Sequence, residues 1–535
     1  MSSTAFANAA WLASSLPAWN HFRRALHEPE ETQREILRRL MVSNADCAFG
    51  RAHGFHTIRS YEDFRERVPI TEFEAIEPWI SRIMRGEQDV LTCEPVTRLL
   101  PTSGSTSGRK LIPFTAGFQR ELNAAIGPWM VDLFLQHPTV ALGPAYWSIS
   151  PALPAAGEIS AVPIGFDDDS AYLGGLRQRL ISAALAAPSA LRLVQSVDDS
   201  RYLTLLCLLR QAGLRMVSVW HPSFLTLLLD ALPACWDELL RDVERGDCQR
   251  AARLPSEVRR AVDGRAQPRR AAELRHAGPA NHEAIWPHLR VVSCWGDAQA
   301  APPARDLQRR LPGVVVQSKG LLATEAFISI PYRGLHPVAI RSHFYEFANA
   351  RGDVRLAHEL QHGESYRVIV TTGGGLWRYQ LGDLVEVDGF VGRTPSLRFL
   401  GRNGNVSDVC GEKLAEPFVT GIFESVFAGC GIAPRFALLA PEHGEGGWGY
   451  TVFIESDVIG ALDLRLDAAL RANPHYAHCR DLGQLRGLRV VHLKEDAQEA
   501  FCTAFAAEGR RLGDIKPQSL SSRSDWRVLL RAVVQ

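Results

Sequence analysis

Between Glu31 and Val42 the apolar residues Ile36, Leu37, Leu40 and Met41 recur at helical spacing among charges, which predicts an amphipathic surface helix. Residues 20–90 as a whole alternate helical stretches of this kind with short loops. From Leu99 onward the pattern changes. Short apolar, β-rich runs alternate with helical ones, the signature of a mixed α/β architecture. Met216–Trp220, Arg290–Trp295, Gly313–Gln317 and Arg367–Thr371 predict short strands, and Pro222 opens a predicted apolar helix over Ser223–Leu232. The Arg- and Ala-rich stretch 241–280 intersperses Asp and Glu among its cations, which predicts solvated faces of surface helices rather than a basic patch. A predicted strand, Leu397–Leu400, runs into Gly401-Arg402-Asn403-Gly404. A boundary there divides the chain into a large N-terminal domain, 1–400, and a smaller α+β C-terminal domain, 401–535.

Composition narrows the function classes. Of 535 residues, 46% are apolar and 22% charged, the balance of an ordinary globular protein with ample core. Lys plus Arg equals Asp plus Glu at 59 each, so no global basic field attracts nucleic acid or anionic lipid. No apolar run reaches the ~18 residues that span a bilayer, so no membrane role is expected. Met1–Trp19 lacks the basic segment of a secretory signal, and ten cysteines scattered from Cys47 to Cys502 form no C-x-x-C pair. Together these features predict a cytoplasmic chain with reduced thiols. Only five of the 59 basic residues are lysines, namely Lys110, Lys319, Lys413, Lys494 and Lys516. Where arginine is written almost everywhere else, each lysine marks a place to look for chemistry that needs a compact ammonium.

The densest motif is Thr102-Ser103-Gly104-Ser105-Thr106-Ser107-Gly108-Arg109-Lys110. Glycines turn backbone N–H groups inward, hydroxyls add donors and the lysine adds a cation, which together suit a polyphosphate. It is not a Walker A loop, because three residues separate Gly104 from Gly108 and Arg109 precedes the lysine. Ser318-Lys319-Gly320 leads to Thr324-Glu325, read either as a hydroxyl and carboxylate for phosphate and a divalent cation or as a helix N-cap. Thr371–Asp383 joins glycines (Gly373, Gly374, Gly375) to Trp377 and Tyr379 and ends on an acid. This suits a slot for a base with Asp383 on a ribose, or else a hairpin with cross-strand aromatics. Gly401-Arg402, Gly411-Glu412-Lys413 and Gly513-Asp514-Ile515-Lys516 complete the series. His475, His478 and Cys479 have metal-like spacing but no second cluster, and are read as ordinary residues.

In order and content these clusters resemble the adenylate-forming superfamily, and the flanking detail is similar to one branch of it, the auxin-conjugating acyl-acid amido synthetases (the Gretchen Hagen family). Asn44, Phe49-Gly50-Arg51, Gly54-Phe55, Tyr61, Phe64-Arg65 and Val68-Pro69-Ile70 carry the likeness at the start. Gly86-Glu87 and Val90-Leu91, then Ser218–Phe224, Ile285-Trp286-Pro287, Cys294-Trp295-Gly296 and Asn473-Pro474-His475-Tyr476 continue it, so that it runs from about residue 20 to 520.

The resemblance implies a large adenylate-forming domain of mixed sheets and helices with a mobile small domain. It also implies a reaction in two steps with ATP and Mg²⁺. A carboxylic acid becomes an acyl-adenylate with loss of pyrophosphate, and an amine, usually of an amino acid, then displaces AMP. Carried over by position, Ser103, Ser105, Thr106, Ser107 and Gly108 with Lys110 cradle phosphates. Thr324 and Glu325 meet the α-phosphate and Mg²⁺, Tyr379 stands near the adenine or acyl pocket, and Asp383 holds the ribose. Arg402 sits at the hinge, Lys413 contacts the nucleotide, and Lys516 reaches the α-phosphate from the small domain. Trp129, Met130 and Leu133 on one helix, with Trp220, are candidates for the acyl pocket wall, with core packing as the competing reading. Two departures stand out. Gly404 replaces an acidic residue common after the junction arginine, and Gly373-Gly374 replaces a Tyr-Ala pair, which is expected to enlarge the acyl pocket. Two other assignments remain open at this level: a ligase passing the adenylate to coenzyme A or a carrier protein, and a non-catalytic nucleotide-binding relative. The acid, the amine and the oligomeric state are not specified by the sequence.

Overall fold

The computed structural model describes residues 3–530 apart from 103–109, 149–159, 166–180, 183, 195, 298–299, 403–405, 457–461, 495–496, 498–499, 502–503 and 505–518. The fold is mixed α/β. The chain divides into two compact units, one formed by Met1–Thr102 with Lys110–Arg402, the other by the residues from Asn403 onward.

The first unit begins with helices. Pro29–Ser43 starts on a proline in the first turn, carries Glu30 and Glu31 beside its N-terminal N–H groups, and buries Ile36, Leu37, Leu40 and Met41. This is the face that the spacing predicts. Tyr61–Arg67 is closed at its start by a capping box between Ser60 and Asp63. Ala116–Gln136 is capped by the Thr115 hydroxyl, which accepts from the N–H of Phe118, and is buried on most sides. That breadth fits a helix running between two cores rather than along a surface.

Two sheets follow. A four-stranded parallel sheet runs β3 (Ala145–Trp147), β4 (Met216–Ser218), β5 (Val291–Cys294), β6 (Val315–Ser318) in spatial order. Its strands are short and almost wholly apolar, as expected where both faces are covered; the edge strand β6 is less covered, with Val315 exposed. A five-stranded antiparallel sheet has the order β11 (Thr394–Arg402), β10 (Tyr379–Val391), β9 (Ser365–Thr371), β7 (Phe344–Ala348), β8 (Val354–Leu356). A separate two-stranded ribbon joins β1 (Arg98–Pro101) to β2 (Leu111–Phe114), on either side of the hydroxyl- and glycine-rich segment.

Three sequence expectations shift. The helix opened by Pro222 continues to Arg245, past Pro233, because Trp236, Leu239, Leu240 and Val243 remain in the same core as Leu225–Leu232. Here tertiary burial outweighs the local cost of the proline. Arg270, in the stretch read as solvated, is buried, and its guanidinium donates to the carbonyls of Leu209 and Ile285. The predicted strand Leu397–Leu400 extends over Thr394–Arg402, as the second arm of a long hairpin with β10.

In the second unit β12 (Val406–Ser407) pairs with β13 (Leu414–Ala415), β14 (Phe436–Gly444) forms a hairpin with β15 (Gly447–Glu455), and β16 (Arg489–His492) joins β15 in parallel. Helices Glu416–Cys430, Asp463–Leu470 and Pro474–Asp481 belong to it as well, with Tyr450 and Tyr476 among its fully buried side chains. Among the described residues, no helix is long and apolar enough to cross a membrane.

Candidate active site

The second motif is the tip of a hairpin and not a helix start. Leu322 bridges Phe327 in antiparallel fashion, and the N–H of Ala323 donates to the carbonyl of Ala326 at 2.9 Å. Thr324 and Glu325 form the connection, with Glu325 buried. The N-cap alternative is therefore excluded, because no helix follows. The hairpin grows from β6 by way of Gly320, which has φ +70° and where a Cβ would fall 2.8 Å from the carbonyl oxygen of Ser329 and 2.9 Å from its hydroxyl.

The third motif is a turn and a bulge. The N–H of Thr372 donates to the carbonyl of Leu376, and that of Gly375 donates to the carbonyl of Thr372. Gly373 lies against the carboxylate of Glu121, where a Cβ would come within 2.9 Å of it. A Cβ on Gly374 would fall 2.7 Å from the carbonyl oxygen of Pro113 and 3.4 Å from the Phe118 ring. This corrects the expectation that the glycine pair widens a pocket. The space is filled, and the glycines let the turn approach the helix Ala116–Gln136. Past the turn, β10 slips register against β9 between Gln380 and Leu384, with Gly382 at φ +81°. Asp383 lies inside this irregularity, buried, and opposite Arg402 on β11. Bulges re-aim side chains out of the ladder alternation, which suits an acid with a task. Tyr379 is packed in the main core of the first unit.

Arg378, between the turn and β10, has φ +46° and is buried. Its guanidinium donates to both oxygens of Glu346, at 2.9 Å and 2.8 Å, and to the carbonyls of Arg65 and Val68. The Tyr61 hydroxyl also donates to Glu346 at 2.8 Å. This buried network ties the start of β10 to β7 and the N-terminal helices.

The four candidates for the acyl wall fall into two groups. Met130 and Leu133 are packed with Trp11, Phe134, Met216 and Val291 in a small separate core, so they belong to packing. Trp129 and Trp220 come together elsewhere, around Lys319. The buried ammonium donates to the Ser218 hydroxyl at 2.6 Å and lies 5.5 Å and 5.0 Å from the two ring centres. The Trp129 indole N–H donates to Gln317, and the half-exposed Trp220 lies against Trp295. Apart from Trp129, which reaches them from the helix Ala116–Gln136, these residues stand at the carboxyl ends of β4, β5 and β6, the edge at which open α/β sheets bind ligands. Lys319 stands in the second sequence motif and among the five lysines, but the sequence gives it no role of its own. Lys110 is half-buried, 5.4 Å from the ring centre of Phe73. Ser103, Ser105, Thr106, Ser107, Gly108 and Lys516 lie outside the described residues, as does the side chain of Arg402.

In the second unit, Lys413 has φ +44° and follows a turn built on Glu412. The fully buried Glu412 carboxylate accepts the N–H groups of Val409 and Cys410, each at 2.7 Å, and pairs with the Tyr450 hydroxyl. Burial, and then the neighbouring Asp408, push its carboxyl up to about 7, against the lowering effect of these donors. Since an unfolded glutamate titrates near 4.5, the folded chain holds this proton more tightly between that value and about 7. The stabilisation is complete below the lower value and is lost as pH rises through the upper one. The thermal unfolding midpoint is therefore expected to fall as pH rises from about 5 to about 8, and Glu412→Gln is expected to flatten that slope. An unchanged slope in the variant would rule out Glu412 as its source.

Two short sequence patterns are discounted by their surroundings. His358-Glu359-Leu360-Gln361-His362 has the zinc-protease spacing, but only a single 3₁₀ turn, Ala357–Glu359, forms there, so the histidines share no helix face. Gly444, Gly446 and Gly449 have a dinucleotide-loop spacing but turn the β14–β15 hairpin, with no helix after them. Among the described residues, no group of three or more His, Cys, Asp or Glu side chains is arranged to hold a metal ion.

Comparison with known proteins gives a consistent result. The GH3 family N-terminal domain matches residues 18–316, more than half of the chain, and the GH3 family central domain matches residues 336–402. A probable indole-3-acetic acid-amido synthetase of Oryza sativa subsp. japonica, GH3.12, is 27% identical over 93% of this chain and 92% of its own length. The indole-3-acetic acid-amido synthetase GH3.2 of Arabidopsis thaliana is 22% identical, over 72% of this chain and 76% of its own. In fold, the chain is similar to the solved acyl acid amido synthetase AtGH3.15 in complex with 2,4-DB. The TM-score is 0.68 at 17% identity, covering 98% of this chain and 97% of that one.

Proposed function

The chain belongs to the GH3 family, and from that premise we propose that it is an ATP-dependent acyl-acid amido synthetase. The observation that carries the reading is the extent of the match, two family domains in succession and a named amido synthetase covered over nearly its whole length. The enzyme is a ligase that forms a carbon–nitrogen bond. In the first step a carboxylate oxygen bonds to the α-phosphorus of ATP and the bond to pyrophosphate breaks. In the second, the amine nitrogen bonds to the acyl carbon, AMP leaves with the carboxylate's oxygen, and the nitrogen loses a proton. A carboxylate is a poor electrophile, and adenylation turns its oxygen into a leaving group.

In this reading Ser103, Ser105, Thr106, Ser107 and Gly108 donate to the phosphates beside Lys110. Asp383 accepts from the ribose hydroxyls, Tyr379 stands at the base or acyl slot, and Trp129 and Trp220 flank the acyl group. Arg402, Lys413 and Lys516 act from the junction and the second unit. Thr324 and Glu325 offer a hydroxyl and a buried carboxylate on one tight turn, a hard-oxygen donor set that fits Mg²⁺ shared with phosphates. Bound there, the ion supplies neutralisation of phosphate charge. Cytoplasmic ATP makes the cytoplasm its place of action, and its substrates are a small carboxylic acid and an amine, probed first with amino acids.

The test is incubation of purified protein with ATP, Mg²⁺, pooled aryl and aliphatic acids, and either amino acids or coenzyme A. AMP release stimulated by amino acids, with an amide found by mass spectrometry, is the expected result. Stimulation by coenzyme A alone would make it a thioester ligase. ATP binding without any turnover would make it a nucleotide-binding relative.

A further inference from the structure

We propose that Glu121 and His343, which belong to none of the sequence motifs, are a positioning pair that sets the Thr324–Glu325 hairpin and the Gly373–Gly375 turn relative to one another. The inference rests on the amido-synthetase reading for the meaning of those two segments. Glu121 projects from the helix Ala116–Gln136 and is buried. Its oxygens accept the N–H of Gly373 at 3.0 Å and 2.9 Å, and one of them meets His343 Nδ1 at 2.7 Å. On the other side of the ring, the N–H of Phe327 donates to His343 Nε2 at 3.3 Å. Phe327 bridges Leu322 at the base of the hairpin that carries Thr324 and Glu325.

The donors fix the tautomer. A backbone N–H only donates, so Nε2 is the acceptor and the ring proton is on Nδ1, directed at Glu121. The His343 ring, fully buried, lies stacked on Phe118 with centres 5.4 Å apart. The strand that follows the first motif is tied in at the same point. Thr115, which follows β2 and the hydroxyl-rich segment, donates its Oγ1–H to the carbonyl of Gly373 at 2.8 Å. Gly373 is thus held through both its N–H and its C=O, and its missing Cβ is what admits the carboxylate.

Only an acceptor pair serves this arrangement. Glu121→Gln preserves the shape but replaces one acceptor with a donor. If the amide oxygen keeps Gly373, its NH₂ faces Nδ1, and the ring proton must move to Nε2 against the N–H of Phe327. If the oxygen takes the place of the one that faces Nδ1, it still accepts from both Nδ1 and Gly373, but the NH₂ then lies against the N–H of Gly373, 3.0 Å from its nitrogen, and repels it. The first arrangement breaks the tether to Phe327 and the second weakens the tether to Gly373.

The experiment compares wild type, Glu121→Gln and His343→Gln by calorimetric titration with Mg·ATP and with the accepted acid, and reads the His343 tautomer by ¹⁵N-histidine NMR. His343→Gln leaves an acceptor for Phe327 while removing the Nδ1–H, and serves if the Glu121 variant does not fold. The expected result is a wild-type ring protonated at Nδ1, and Mg·ATP affinity weakened about tenfold or more in His343→Gln and in a Glu121→Gln that has lost that state, the scale of a buried hydrogen bond to a charged group. Acid affinity is expected to stay within about twofold, which a general loss of structure would not allow. Unchanged Mg·ATP affinity in a folded variant whose tautomer has switched, or equal weakening of both ligands, would overturn the proposal. Failure of the wild type to release pyrophosphate counts against the amido-synthetase reading, while its Mg·ATP titration still decides the role of the pair; absence of Mg·ATP binding would sink both.

Discussion

Replacing Lys516 with alanine is expected to slow acyl-adenylate formation by about 10²–10³-fold, the loss typical of one transition-state donor. The effect is electrostatic. As the carboxylate closes on the α-phosphorus, negative charge from both reactants gathers at one centre, and a preorganised cation there acts on the transition state more than on bound ATP. The lysine stands in Gly513-Asp514-Ile515-Lys516-Pro517, in a chain that otherwise uses arginine almost throughout. A compact ammonium suits a position that contacts two ligands in turn, where a planar fork would demand one fixed geometry. The check is the single-turnover rate of acid-dependent pyrophosphate release. The second step, started from added acyl-adenylate, should fall far less, because its leaving group already carries the activation. Equal losses in both steps would indicate damage to the unit as a whole.

The second large effect is on stability. Glu346→Ala is expected to cost about 3–5 kcal/mol, because it leaves the buried guanidinium of Arg378 without its carboxylate. Both side chains are almost fully withdrawn from solvent, at 5% and 1% exposure, so little water is available to replace the lost partner. The deletion also strips the Tyr61 hydroxyl of its acceptor and leaves the guanidinium of Arg378, a residue at φ +46°, with the Arg65 and Val68 carbonyls in place of a carboxylate. Arg378→Met together with Glu346→Leu should recover much of the loss, since a pair replaced by apolar groups leaves no buried charge. Chemical denaturation of the single and double variants checks this. A single variant within about 1 kcal/mol of wild type, the scale of an exposed pair, would contradict the reading of this network.

The legibility of the fold varied with the kind of signal. Short apolar runs between turns marked the parallel strands β4, β5 and β6 and the antiparallel strand β9 to within a few residues, because strands of this kind are written in consecutive apolar residues. The helix Ala116–Gln136 was not legible in the same way. It is apolar on most sides, so its sequence cannot assign Trp129 to one core and Leu133 to another, and the two were grouped as a single wall. Thr324-Glu325 reads as a phosphate and cation site or as a helix cap until the pairing of Leu322 with Phe327, a long-range fact, selects a hairpin over the cap. Gly373-Gly374 suggested open space because a missing side chain does not reveal what fills its place. The pair Glu121 and His343 is 222 residues apart in sequence. Its one local trace is an acid in a helix of otherwise mostly apolar residues.

The most direct measurement of the central claim follows the oxygen atoms of the acid. Incubated with ATP, Mg²⁺, an amine and an acid labelled with ¹⁸O in both carboxylate positions, the enzyme is predicted to release AMP carrying one ¹⁸O and an amide carrying the other. Label found in inorganic phosphate, or unlabelled AMP beside a labelled amide, would contradict activation of the acid as an acyl-adenylate.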